Sequence, residues 1–401
     1  MIRAAIIVGA VVLVQWLATE AALRGEWPWS IAPPRVSLYA TSVISLFFFT
    51  SLYLELVLPG RPYKGPLSTC GQQETYKDNA VAHCVFSHIV FFLGASLGLW
   101  PMSVLAARYD EILSTLNVIG FGVSVLLLLK GRHFPSGPTP PARGGLHDFF
   151  WGVELYPKVC GLSVKRVFNC RFSMLFWMLH SVSSVFHEHE RHGSVSEAGI
   201  AVAVSQWLYL LKFFCWERGY MSSLDIVMDR CGFYLIWGVI AFVPAVYTVH
   251  LRCVAERGRG TDAPWWTLAF SVLSIFLNYR SDLARYRFRH TPAPTQSFIA
   301  VTYQVERGGH KTIEQSRLLV AGVWGALRHP NYLFELCVAW SWVALSDPLG
   351  TRGVSALYAL VLTILLFHRA KRDEAKCLAK YGPGYQEYMR RVPSRIIPWI
   401  W

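Results

Sequence analysis

Apolar runs of bilayer-crossing length, separated by short polar and often basic stretches, set the rhythm of this chain. A helix needs roughly 17 to 25 predominantly apolar residues to cross a hydrocarbon core. Runs of that order lie at about 4–22, 37–58, 81–106, 112–130, 169–186, 196–216, 231–250, 264–280, 331–347 and 353–369. The pattern predicts an all-α, polytopic membrane protein with about ten transmembrane helices. The last two runs are short enough to be tilted, broken or paired as a hairpin. The first could pass for a signal peptide, but it lacks a small-residue cleavage site and much membrane sequence follows, so a retained span is expected. Pro135, Pro138, Pro140 and Pro141 mark an irregular loop, as do Pro292 and Pro294. Alternation from Gln296 to Val305, with Gly308 and Gly309 near the turn, predicts a short strand pair. No internal repeat of the inverted-transporter kind is visible.

Composition supports this reading: 53% hydrophobic and 14% aromatic residues and a mean hydropathy of +0.34 over 401 residues are too apolar for an ordinary soluble enzyme. The formal net charge of +13 sits between the apolar runs, where it sets topology or holds an anion. No nucleic-acid-binding signature accompanies it. With ten spans both termini share a side, together with the 59–80, 130–168, 217–230 and 281–330 connections. Two of these connections and the tail are rich in Lys and Arg, among them Lys130, Arg132, Lys165, Arg166, Arg285, Arg289 and Lys371. Both ends are therefore expected in the cytosol. Loop 251–263, with Arg252, Arg257 and Arg259, runs against that rule. The nine cysteines show no metal-finger or redox-pair spacing and read as buried small residues or free thiols.

The chemistry concentrates between Leu318 and Arg395. Arg369, Asp373, Cys377 and Tyr381 recur every four residues, which on a helix keeps them on one slowly drifting face. Arg328, His329, Asn331 and Tyr332 stand at the start of an apolar run, so a helical hairpin would bring both sets into a cationic pocket at the membrane surface. A large anionic cofactor suits it. Arg285 and Arg289, also four apart, are either flanking topology charges or a guanidinium pair whose planar forks match the 2′-phosphate and pyrophosphate of NADPH. The Gly322-Val323-Trp324-Gly325 turn lacks Rossmann spacing and a preceding βαβ unit, so membrane helices and loops would have to build any dinucleotide site. Asp373 either pairs with Arg369 or accepts hydrogen bonds from ribose or carboxamide. The His187-Glu188-His189-Glu190-Arg191-His192 run resembles a metal cluster, but a solvated polar loop is the expectation, with no metal. Gln206, Tyr209, Lys212, Glu217, Asp225, Asp229 and Glu335 are polar groups within or beside apolar runs and so are functional candidates. Tyr209 could serve as a proton donor or as an interfacial belt tyrosine.

Taken together, these segments resemble the sterol reductase family, which contains the Δ14-, Δ7- and C24(28)-sterol reductases and the lamin B receptor membrane domain. The resemblance rests on LLVAGVWGALRHPNY from Leu318, HRAKRDEAKCLAKYG from His368 and Arg395-Ile396-Ile397-Pro398. Upstream, DFFWGVE from Asp148, Phe168-Asn169-Cys170-Arg171, WERGY from Trp216, DRCGFYLIWG from Asp229 and VPAVYT from Val243 extend it over most of the chain. Several of these pieces look most like the Δ7 (7-dehydrocholesterol) reductases. The resemblance implies ten transmembrane helices, an endoplasmic reticulum membrane and NADPH as reductant. It implies a single membrane domain over 1–401, with 281–401 as the NADPH-binding half and helices within 59–280 contributing to a sterol pocket. Matching positions assign the cofactor pocket to Arg285, Arg289, Leu319, Val320, Trp324, Arg328, His329, Asn331, Tyr332, Arg369, Asp373, Cys377, Tyr381 and Tyr388. The family's usual Gly-Trp-Trp-Gly is Gly322-Val323-Trp324-Gly325 here, its Thr-Ser pair is Val320-Ala321, and a common lysine is Arg285.

The expected reaction is reduction of the C7–C8 double bond of a Δ5,7-sterol drawn from the bilayer, with Tyr209 as proton donor. Asp229, Glu217 and Tyr247 would deliver protons or position the sterol. Alternatives within the family are Δ14- or C24(28)-reduction, or a non-catalytic sterol-binding protein. An isoprenylcysteine-type methyltransferase shares only the Arg-His-Pro-x-Tyr turn and the basic tail.

Overall fold

The computed structural model describes residues 35–68, 71–257, 264–292, 295–307, 310–346 and 353–398. The expected span at 4–22 lies outside them. Each of the other apolar runs coincides with a helix: Leu38–Val57, Ala80–Ser96, Tyr109–His133, Met174–His192, Glu197–Cys215, Phe233–Glu256, Trp265–His290, Pro330–Ser346 and Leu357–Tyr381. Among the described residues, five helical stretches are long and apolar enough to cross a membrane: Leu38–Val57, Tyr109–His133, Glu197–Cys215, Phe233–Glu256 and Gly353–Tyr381.

The boundaries differ from the pattern where backbone chemistry overrides hydropathy. The run at 81–106 stops being helical at Ser96, because Gly98 turns to φ 72° and Pro101 follows. The run at 264–280 continues as helix to His290, carrying Arg285 and Arg289 on its polar end. Leu357–Tyr381 likewise runs past residue 369, unbroken for 25 residues. His187 to His192 form the last turns of Met174–His192 and not a loop, and Gly193 at φ 71° closes that helix. Glu188 there is buried and accepts the Ser196 N–H at 2.9 Å, while the Ser196 hydroxyl caps the next helix through Gly199 N–H at 3.0 Å.

The chain forms two compact units. The first comprises residues up to Trp265 together with Ala344–Leu357. Its centre is the helix Met174–His192, whose Phe176, Trp177 and Leu179 are fully enclosed, packed on Glu197–Cys215 and Val249–Arg257. Two segments of this unit, Arg166–Ser173 and Gly238–Tyr247, are wound as π-helix and pack together. Pro244 lies inside the second and has no N–H for a regular ladder. Its carbonyl accepts the hydroxyls of Tyr109 and Thr248, each at 2.5 Å.

Charges that the sequence places in loops are enclosed here. Arg171 donates to Glu55 at 2.8 Å, to both oxygens of Glu217 at 2.5 and 3.0 Å, and to Asn79 at 3.0 Å. Arg166 reaches Glu55 at 3.0 Å and Glu217 at 3.3 Å. Two guanidiniums and two carboxylates thus neutralise one another away from water. The buried Lys165 ammonium is held by the carbonyls of Asp225 and Ile226, both at 2.8 Å, and of Asp229 at 2.5 Å. Arg252 is buried in Val249–Arg257, over the Tyr109 ring at 5.1 Å, so it is no loop charge and weighs little against the positive-inside reading.

The second unit comprises Trp266–Val343 and Tyr358–Trp401. Its helices carry an antiparallel hairpin, Phe298–Arg307 paired with His310–Leu319, longer than the strand pair the sequence predicts. The short helix Pro383–Arg391 lies on the first strand, and a side chain at Gly384 would run into Val301. Gly382 at φ 51° and Pro383 at the first helical position start that helix.

Candidate active site

All fourteen residues expected in the cofactor pocket lie in the second unit. The site starts with the indole of Trp324, on the one-turn helix Val323–Ala326. Gly322 reaches φ 58° to begin that turn, and a Cβ at Gly325 would press on the Val320 carbonyl at 2.7 Å. Trp324 is buried with Phe288 and Leu319, and its N–H donates to the Ser281 carbonyl at 2.9 Å. This bond ties the Gly-Val-Trp-Gly turn to the helix Trp265–His290. One turn beyond Ser281, the Arg285 guanidinium lies over the indole at 4.9 Å.

Arg289 follows one turn later, crowded by protein at its guanidinium while its side chain still reaches solvent. Burial works against the Arg285 charge, but the Asp373 carboxylate, with smaller help from Tyr388, Cys377 and Asp282, more than restores it, leaving its pKa above the ordinary value. Arg289 shows the opposite. The Arg285 charge first, and then burial, pull it down to about 10, against Tyr381, Asp373 and Cys377. Two guanidiniums thus lie within electrostatic reach of Asp373, with Asp282 a further carboxylate near Arg285, and adjacent positive charges of this kind favour an anion.

The second wall is the helix Leu357–Tyr381, which carries Arg369, Asp373, Cys377 and Tyr381 in the expected register. The Cys377 thiol faces Asp373 Oδ2 at 4.0 Å. Tyr381 meets Tyr303 edge-on at 5.3 Å, and Tyr388 packs with Tyr385 and Val392 over Leu318, Val320 and Cys377. Burial pushes the Tyr388 phenol up to about 12, so it stays protonated at neutral pH.

The third wall is the Arg328–His329–Pro330 turn. Pro330 opens the helix Pro330–Ser346. Asn331 donates to Asp282 at 3.0 Å, and His329 stacks on Tyr332 with centroids 4.8 Å apart. Burial is the main cause lowering the His329 pKa to about 4, with Asp373 opposing and Arg285 and Arg328 assisting, so the imidazole is neutral at pH 7. Arg328 pairs with Glu374 at 3.2 Å. Glu374, Asp282 and Tyr385 also belong to this region, although no motif marks them. Glu374 follows Asp373 directly and Asp282 precedes Arg285 on the same helix, but their partners Arg328, Arg395 and Asn331 come from distant segments and no spacing signals them.

The four residues nominated for proton chemistry lie in the first unit. Tyr209 and Tyr247 flank one indole: Trp177 lies 5.7 Å from the Tyr209 ring and 5.3 Å from that of Tyr247. Gln206 accepts the Trp177 N–H at 2.7 Å, and the Lys212 ammonium stands over Tyr209 at 4.4 Å. Glu217 does not join them. Both its oxygens are taken by Arg166 and Arg171, which makes it part of the ionic lattice and not a free proton carrier. Asp229 is buried near Lys165. No group of three or more His, Cys, Asp or Glu among the described residues is placed to hold a metal.

The fold is that of a helical membrane protein in which Arg285, Arg289 and Trp324 stand at or beside the polar end of one helix. The chain belongs to the ergosterol biosynthesis ERG4/ERG24 family, which it matches over residues 11–401. It is 36% identical to the 7-dehydrocholesterol reductase of Arabidopsis thaliana over 383 residues, covering 92% of this chain and 86% of that protein. It is 29% identical to the Delta(14)-sterol reductase of Methylotuvimicrobium alcaliphilum, covering 95% of this chain and 87% of that protein. With the mouse Delta(14)-sterol reductase TM7SF2 it shares 30% identity, covering 90% and 85%.

Proposed function

We propose that this chain is an NADPH-dependent sterol reductase acting on the C7–C8 double bond of a Δ5,7-sterol. It would reside in the endoplasmic reticulum membrane as about ten spans with cytosolic termini, as the helices and basic segments suggest. The observation that carries the cofactor assignment is the pair Arg285 and Arg289, one turn apart on one helix, with the first over the Trp324 indole and both within electrostatic reach of Asp373. This donor set fits a dinucleotide with an extra phosphate: two planar forks for phosphate oxygens, and a carboxylate to accept hydroxyl or amide donors. The choice of double bond rests on the higher identity to the plant 7-dehydrocholesterol reductase.

NADPH, when bound, supplies the hydride. Arg285 and Arg289 would hold its phosphates, Asp373 would orient it, and Trp324 would keep water from that side. An alkene accepts hydride poorly unless its other carbon is protonated. We assign that proton to the Tyr209 hydroxyl, because the Lys212 ammonium over its ring stabilises the phenolate left behind. Replacing Tyr209 by Phe should abolish turnover and leave NADPH binding intact.

Purified chain incubated with NADPH and defined Δ5,7-, Δ8,14- and Δ24(28)-sterols tests the assignment, with the lost double bond located by mass spectrometry. Loss of the C7–C8 bond alone supports the reading. Loss of the C14 bond alone would move it to the Δ14-reduction named for two of its relatives.

A further inference from the structure

Residues 392–396, beyond the helix Pro383–Arg391, bond both to the Arg328–His329 turn and to the helix Leu357–Tyr381. The Arg328 N–H donates to the Ser394 carbonyl at 3.0 Å and the His329 N–H to the Arg395 carbonyl at 2.8 Å. These two rungs satisfy N–H groups just before the helix Pro330–Ser346, where no helical acceptor exists. The Arg328 side chain adds a bond to the Val392 carbonyl at 3.3 Å. Arg395 then turns back and grips both oxygens of Glu374, at 2.8 and 2.9 Å, on the face shared with Arg328. Val392 and Ile396, 1% and 0% exposed, anchor the segment on either side of Arg395, and Pro393 stiffens it. Glu374 is the chain neighbour of Asp373, and Arg328 that of His329.

We infer that residues 392–396 form a latch that fixes the Arg328–His329 turn against the helix bearing Asp373, making Arg395 a positioning residue for the cofactor recess. The inference rests on the reading that this recess takes NADPH. Arg395 acts through Glu374 and Arg328, which set the spacing between two walls of the pocket. A bidentate guanidinium–carboxylate pair suits this task because it fixes direction as well as distance. Lysine keeps the charge and loses the fork.

NADPH titration of the full chain in detergent, by isothermal calorimetry, tests this on wild type, Arg395→Gln, Arg395→Lys, Glu374→Gln and the Arg395→Gln/Glu374→Gln pair. Arg395→Gln should weaken NADPH binding about tenfold, Arg395→Lys about threefold, and the pair no more than the worse single change, since both members act through one contact. In turnover assays the KM for NADPH should rise in step, while kcat at saturating NADPH and the KM for sterol stay within about twofold. A merely structural bond would instead lower active enzyme and kcat together. If Arg395→Gln does not fold, Arg395→Lys carries the test. Wild-type affinity in the folded variants overturns the latch alone; wild type that fails to bind NADPH overturns the cofactor reading and the latch with it.

Discussion

Arg285 combines two properties that different substitutions separate: a charge beside Asp373 and a plane over Trp324. Arg285→Lys keeps the charge but loses the planar fork and should raise the KM for NADPH about tenfold, whereas Arg285→Ala loses both and should raise it more than about thirtyfold. Steady-state kinetics at fixed sterol would show the difference. His329 makes a pH prediction. Its pKa falls from the ordinary histidine range to about 4 in the folded chain, chiefly through burial, so between pH 6.5 and 4 the unfolded chain binds more protons at this position. His329 therefore costs stability progressively as pH drops through that window and contributes no slope above it. Melting temperatures at pH 7 and pH 5 should differ less for a His329→Gln variant than for wild type. At this scale the sequence was legible where one helix carried the pattern: Arg369, Asp373, Cys377 and Tyr381 needed only a period of four. Glu374 and Arg395 are 21 residues apart with an intervening helix, and no period connects them.

The helices were legible because hydropathy over a bilayer length is a strong signal, and their ends were less so. Ser96 ends its helix through the backbone of Gly98, which a hydropathy window does not register. Illegible too were the contacts that bind elements together. Gly152, at φ 88°, and Gly232 cross so closely that a Cβ on either would collide with the backbone of the other. Gly232→Ala should abolish folded, monodisperse protein in size-exclusion profiles, because neither backbone can yield. The Glu55–Arg166–Arg171–Glu217 lattice draws one member from each of two distant helices and two from a π-helical segment, so Arg166 passes for a topology charge in the sequence. Arg171→Met would leave two enclosed carboxylates sharing the one guanidinium of Arg166 and should destabilise the unit by about 3–5 kcal/mol. Replacing all four charges with apolar residues of similar size should cost far less. Thermal unfolding of both variants in detergent would compare them.

For the molecule as a whole, the enclosure of Lys165, Arg166 and Arg252 changes which charges count toward orientation. The exposed basic residues near Lys158 and along the tail remain, and on our reading they face the cytosol. Cys160, exposed at φ 49° in the turn between the short strands Lys158–Val159 and Leu162–Ser163, is a natural reporter. In sealed microsomes a membrane-impermeant maleimide added from outside should label it without detergent; labelling only after permeabilisation would invert the topology.

The Pro244 carbonyl, gripped by hydroxyls from two directions, has a mechanical consequence for this architecture. One of those hydroxyls, on Tyr109, starts a different membrane helix, so it rivets the wide turn at 238–247 to the segment Tyr109–His133. A spanning helix pinned sideways at its middle can neither slide along its axis nor swivel alone. Whatever bending the bundle undergoes during turnover, these two rods should travel as one, and spin labels placed on them should hold a constant separation.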